Sequence, residues 1–143
     1  METTIVSQFV SQFKTALTFK NGRHHYYGNL KIDNDVAIWD NVVIHGDLVV
    51  AGNLTSHEKL IVVGNIQVGG DFIAGRNVMA NNIKVEKMFG CYGSVRTKNL
   101  EAGWFWVDGN LFASDVSAQD TSTVHGWMKA STVHGEVLVD IEI

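Results

Sequence analysis

The strongest constraint on the fold of this chain is a nine-residue phrase that recurs one period later. Residues 46–54 read GDLVVAGNL, and residues 64–72 read GNIQVGGDF. The apolar residue after each Gly-Asp or Gly-Asn pair belongs to a longer series, whose successive steps are 18, 18, 17, 17, 16 and 17 residues. The members of this first series are Leu30, Leu48, Ile66, Ile83, Leu100, Val116 and Val133. A fixed period of this length indicates a repeat architecture.

Each period divides into three similar parts, because two further apolar series follow the first at intervals of about six residues. The second series is Val36, Leu54, Phe72, Phe89 and Trp106, and the third is Val42, Leu60, Val78, Val95 and Leu111. Two positions after each member the residue is mostly small or β-branched, and residues two apart on a strand face the same side. Each part therefore predicts a short strand with two inward residues, then a corner where Gly-Asn or Gly-Asp tolerates left-handed backbone angles.

Three short strands per period predict an all-β fold, a single-domain parallel β-solenoid whose coils stack at about 4.8 Å. A length of 143 residues suits one domain with its own core. The alternative is an antiparallel sandwich, which requires turn signals every 8–12 residues. That alternative does not explain a register of 17 or 18 residues.

The two ends depart from the repeat. Ile5, Phe9, Phe13 and Leu17 recur at every fourth position, which predicts an amphipathic helix over residues 4–19 that closes near Asn21-Gly22. We expect residues 1–22 to form a helical cap over the first coil and residues 23–143 to form the solenoid. The C-terminal sequence EVLVDIEI, residues 136–143, alternates like a strand and has no evident cover.

The repeat resembles a known family. Residues 28 to about 118 are similar to the bactofilins, the polymer-forming cytoskeletal proteins of bacteria, and the motifs that carry this resemblance are Gly28-Asn29-Leu30, Gly46-Asp47-Leu48, Gly64-Asn65-Ile66 and Gly70-Asp71-Phe72. The resemblance implies a triangular, right-handed β-helix that stacks end to end without a nucleotide.

Composition narrows the classes of function. A formal charge of −4 argues against general binding of nucleic-acid backbones, which needs clustered Lys and Arg. A single cysteine, Cys91, cannot form an internal disulfide and favours a reducing compartment. The start METTIVSQFV lacks a basic region and a long apolar core, and no apolar run reaches the roughly 20 residues of a membrane span. We therefore expect a cytoplasmic protein.

The residues that could carry chemistry do not form a recognisable set. STVHG occurs at residues 122–126 and 131–135, but a spacing of nine places His125 and His134 on different faces, and neither has an Asp or Cys at metal-like spacing. Cys91 falls two positions after Phe89 and is expected to face the core. Asp47 and Asp71 recur as corner residues. We expect no metal, no cofactor and no enzymatic activity.

An acyltransferase of the hexapeptide-repeat class is the enzymatic alternative, because such enzymes also build triangular coils. Their repeats favour Gly directly after the aliphatic residue, whereas Lys31, Val49, Gln67 and Lys84 stand at that position in this chain.

The outward-facing residues suggest contacts. The residues after the third series are Val43, Ile61, Met79, Arg96 and Phe112, so apolar side chains should lie above one another on successive coils. Contiguous apolar surface usually marks a contact site. Either a terminal segment covers this stripe, or a partner or second copy does. The protein-contact candidates are Val43, Ile61, Met79, Phe112, Val137, Val139 and Ile141.

The function that fits these features is a non-enzymatic, bactofilin-like scaffold that self-associates as a dimer or larger assembly. The alternative is a small acidic immunity-type protein that binds and inhibits a basic partner such as a toxin. In both cases the partner is a protein.

Overall fold

The structure is a computed structural model that describes residues 3–4 and 17–139. Within these residues the regular elements are all strands, and they build a parallel β-solenoid. The strands are β1 (Thr3–Thr4), β2 (Leu17–Lys20), β3 (Arg23–Tyr27), β4 (Leu30–Ile32), β5 (Asp35–Ile38), β6 (Val42–His45), β7 (Leu48–Val50), β8 (Leu54–Ser56), β9 (Leu60–Val68), β10 (Phe72–Ala74), β11 (Val78–Cys91), β12 (Val95–Arg96), β13 (Asn99–Val107), β14 (Leu111–Phe112), β15 (Asp115–Ala118), β16 (Ser122–Val124), β17 (Met128–Lys129), β18 (Thr132–His134) and β19 (Val137–Val139).

The strands stack in three faces, and the predicted register of the first face is confirmed. Parallel pairing places the seven residues of the first series in one column, one per coil: Leu30, Leu48, Ile66, Ile83, Leu100, Val116 and Val133. The third series is confirmed in the same way from Val42 to Leu111 and continues to Met128. The strands β9, β11 and β13 run through corners without interruption. The antiparallel sandwich is therefore excluded for the described solenoid.

The second face corrects one member of the predicted series. Phe89 pairs with Phe105, whereas Trp106 pairs with Gly90. Phe105 is fully buried, and the half-buried indole of Trp106 lies against Gly90, where a Cβ would overlap its ring. A register shift between Val85 and Met88 shortens the next coil by one residue at this corner. A constant spacing of six residues, counted from Leu100, therefore selects Trp106, whereas the inward residue is Phe105.

Gly28 and Gly135 adopt left-handed backbone angles, as predicted for corners, but most corner glycines are required for a different reason. Among the described glycines, positive φ occurs only at Gly22, Gly28 and Gly135. At Gly64 the backbone is not left-handed, but an added Cβ would overlap Oδ1 of Asp47 and lie 2.6 Å from the carbonyl oxygen of Gly46. Close stacking of successive coils at the corner is what excludes a side chain there.

The predicted helical cap is wrong where the structure describes it. Leu17–Lys20 form β2, which pairs antiparallel with β3, and residues 5–16 lie outside the described residues. Asn21 and Gly22 have φ values of 55° and 75°, as a two-residue hairpin turn requires. Asn-Gly therefore marks a hairpin here rather than a helix end. At the start of the predicted helix, Thr4 belongs to β1, which pairs with β5.

Candidate protein-contact surfaces

The predicted outward stripe is a column on the third face. Ile61, Met79, Arg96 and Phe112 pair in register along successive coils. Met79 is 46% exposed, and Ile61 and Phe112 are half-buried. Val43 occupies the same column one coil earlier but is only 6% exposed. The open part of the stripe therefore begins at Ile61.

The stripe lies in a groove of about 420 Å³, which we call the third-face groove. Ile61, Met79 and Phe112 supply its apolar part, and Arg23 and Lys59 line it near the first coils. Arg96 also lines the groove, with its guanidinium carbon 5.2 Å from the centroid of the Phe112 ring. This is a cation–π arrangement, and it places a positive charge directly beside the apolar residues.

The other candidate surface is the end of the last coil, formed by β17, β18 and β19. These strands pair with β14, β15 and β16 of the preceding coil, and the described residues provide no strand on their other side. Val133 and Val139 are 39% and 44% exposed, and Val137 is half-buried. The candidate Ile141 lies outside the described residues.

Cys91 faces the core, as predicted. It is fully buried, and its thiol donates to the carbonyl oxygen of Arg76 at 3.3 Å. Burial raises the pKa of Cys91 to about 11, and the carboxylate of Asp108 acts in the same direction. The thiol is therefore protonated at neutral pH and is a poor nucleophile.

Two histidines, His25 and His45, lie side by side, which the sequence analysis did not predict. His125 and His134 lie in different columns, as predicted. His25 Nδ1 lies 2.9 Å from His45 Nε2, and Tyr27 stacks on the His45 ring with centroids 4.4 Å apart. A separation of one coil plus two residues is the sequence signal for such a pair. Across the described residues, no three side chains of His, Cys, Asp or Glu are grouped to hold a metal ion.

The corner Asp and Asn residues hold consecutive coils together. Oδ1 of Asn29 accepts a hydrogen bond of 2.8 Å from the backbone N–H of Asp47. Asp47 Oδ1 in turn accepts a hydrogen bond of 2.9 Å from the backbone N–H of Asn65. Asp71 Oδ1 likewise accepts from Met88 at 3.1 Å. These side chains are therefore corner residues, as predicted, and they cap backbone donors that face the corner.

A comparison of the chain with protein-family models, curated proteins and solved structures finds no match. In the part of the chain that the structure describes, no helix is long and apolar enough to cross a membrane.

Proposed function

We propose that this protein is a non-enzymatic, bactofilin-like scaffold that self-associates through the end of its last coil. The observation that carries the proposal is the exposure of inward positions at that end. Val133 continues the column of Val116, which is completely buried one coil earlier. The last coil thus presents core residues to solvent.

Both the backbone and the side chains of this end favour pairing with another chain. An edge strand offers unpaired N–H and C=O groups that another strand can satisfy. Apolar side chains that become fully buried contribute roughly 1.5–3 kcal/mol each. Val133 and Val139 lie on neighbouring faces of the same coil, so one contact can cover both.

The first coil, at the opposite end of the solenoid, favours a closed dimer over an endless fibre. There β2 lies along β3 on the third face, and β1 lies along β5 on the second face. Two of the three edges of the first coil are therefore already paired. A two-fold contact between two last coils uses up the open surface, which limits the assembly to a dimer.

The absence of enzymatic activity is part of the proposal and is supported by Cys91. Its thiol is buried and protonated, so the one cysteine of the chain is unsuited to nucleophilic catalysis. A lone free thiol is also best maintained in a reducing compartment, and we propose a cytoplasmic location on this ground.

Sedimentation velocity over a concentration series tests self-association. We expect the wild-type protein to shift from monomer to dimer, and Val133→Asp to remain monomeric because a charge would enter the contact unpaired. Val63→Asp is the matched control, since Val63 is exposed and lies several coils from the end. It should dimerise like the wild type. A wild-type protein that stays monomeric at every concentration, or a Val133→Asp variant that still dimerises, would overturn the proposal.

A further inference from the structure

We infer that the third-face groove binds an extended, acidic segment of a different protein, with one apolar side chain seated on Ile61 and Met79. This site is separate from the last-coil end, because the groove is centred on the coils of Ile61, Met79 and Arg96.

The shape of the groove suits a short extended peptide. Ile61 and Phe112 are separated by three coil steps, or about 14 Å at the usual strand spacing. An extended chain of four or five residues covers that length. Met79 is the most exposed apolar side chain of the column, and its flexible thioether adapts to ligands of varied shape.

The positive charge of the groove indicates that its partner is negatively charged. The protein carries a formal charge of −4, yet the charged residues that line this groove are Arg23, Lys59 and Arg96. Among the described residues, no ion pair joins any of these three cations to a carboxylate.

The carboxylate that is adjacent to Lys59 in sequence is already engaged in an ion pair. Glu58 precedes Lys59 in the chain, and its carboxylate pairs with Arg76 at 3.3 Å. The groove cations therefore remain available to Asp or Glu side chains of a ligand, where charge-assisted hydrogen bonds are the strong ones. A ligand with an apolar residue flanked by carboxylates would contact both the apolar side chains of the groove, which form its floor, and the three cations, which form its rim.

A peptide fits this chemistry better than a nucleic acid does. Nucleic-acid binding relies on many cations that follow a phosphate backbone. Here three cations surround an apolar floor. The acidic partner also differs from the basic partner that net charge alone suggests, because the groove is locally positive on a globally negative protein.

Selection from a random peptide library displayed on phage tests the inference. The full-length Val133→Asp variant serves as bait, so that dimerisation does not obscure the groove. We expect the selected peptides to carry Asp or Glu on both sides of an apolar residue. Peptides without net negative charge, or no selected peptide, would overturn the inference.

Affinity measurements with a selected peptide then locate the site. Arg96→Glu and Met79→Asp should each weaken binding by about tenfold or more. The first reverses one of the positive charges of the groove, and the second places a negative charge directly under the acidic peptide. Lys31→Glu is the matched charge-reversal control on the first face and should change affinity by less than about twofold. Equal losses in Arg96→Glu and Lys31→Glu would show a nonspecific charge effect and reject the groove. The sedimentation result depends on the last coil, so either proposal can fail without the other.

Discussion

Ile66 and Val133 hold the same repeat position, yet their environments differ. Both belong to the inward column of the first face, but Ile66 is 1% exposed and Val133 is 39% exposed. Ile66 has a coil on each side, whereas among the described residues Val133 has one only on the preceding side. An inward position in a solenoid is thus buried by its neighbours along the axis, and the last coil requires a cover that the repeat itself does not supply.

The largest expected difference between these regions is in the response to a buried charge. Ile66→Asp should lower the free energy of unfolding by roughly 3 kcal/mol or more, because an unpaired carboxylate would enter the core. Val133→Asp should cost the monomer far less, since water reaches that site. Chemical denaturation measures both, with exposed Gln67→Asp as the control within about ±0.5 kcal/mol. Equal losses at Ile66 and Gln67 would contradict the register.

Stacking at the corners should produce the next largest effect. Gly64→Ala should destabilise the protein by about 1–3 kcal/mol, because its Cβ would overlap Asp47 and force the coils apart. The neighbouring Val63→Ala removes an exposed side chain and should change stability by less than about 0.5 kcal/mol. A neutral Gly64→Ala would mean that the corner does not need glycine for close approach.

The buried thiol in the middle of the solenoid predicts a loss of stability at high pH. The pKa of Cys91 is about 11 in the folded protein against an ordinary value of 9.0. Below pH 9 the thiol is protonated in both states, and between pH 9 and 11 the unfolded chain ionises first. Wild-type stability should therefore fall by about 2 kcal/mol more than that of Cys91→Ala over this interval. Urea unfolding at successive pH values measures the difference, and parallel curves would contradict it.

Two buried serines should show the smallest effects, with different outcomes. Ser122 Oγ accepts a hydrogen bond of 2.9 Å from the backbone N–H of Phe105, whereas Ser56 Oγ has no partner among the described residues. Ser122→Ala should cost about 1–2 kcal/mol because the Phe105 donor loses its acceptor. Ser56→Ala should be neutral or stabilising by up to about 1 kcal/mol. Thermal denaturation of both variants checks the contrast, which equal losses would refute.

The sequence was sufficient for the fold because each coil repeats the same requirement for inward apolar residues. Period and alternation therefore predicted the columns through Ile66 and Val78 correctly. Prediction failed where the period changes, since Phe105 replaces Trp106 at a corner one residue shorter. It also failed at residues 17–20, because the series of apolar residues at every fourth position ends at Leu17, and the Asn-Gly turn directs these residues to pair with β3.

The candidate surfaces were only partly predictable. The stripe of Ile61, Met79 and Phe112 follows from the register alone, because neighbours along a column are fixed by the period. Its positive rim was missed because Arg23 and Lys59 hold the repeat position directly before the third series, two coils apart, whereas the stripe was identified from the residues after that series. Burial of Val43 was likewise not encoded in the period, which assigns directions to side chains but not their exposure.

The distance between spin labels at the two ends tests the central claim, that last coils meet in a two-fold dimer. Labels would be attached at Lys129→Cys or Lys31→Cys, each in the Cys91→Ala background, and measured by double electron–electron resonance. With seven stacked coils in the described part of each chain, we predict a distance below about 30 Å for the last-coil label and about 60 Å for the first-coil label. A head-to-tail polymer would instead give about 34 Å at both positions. Equal distances at the two sites, or no dipolar coupling at Lys129→Cys, would contradict the account.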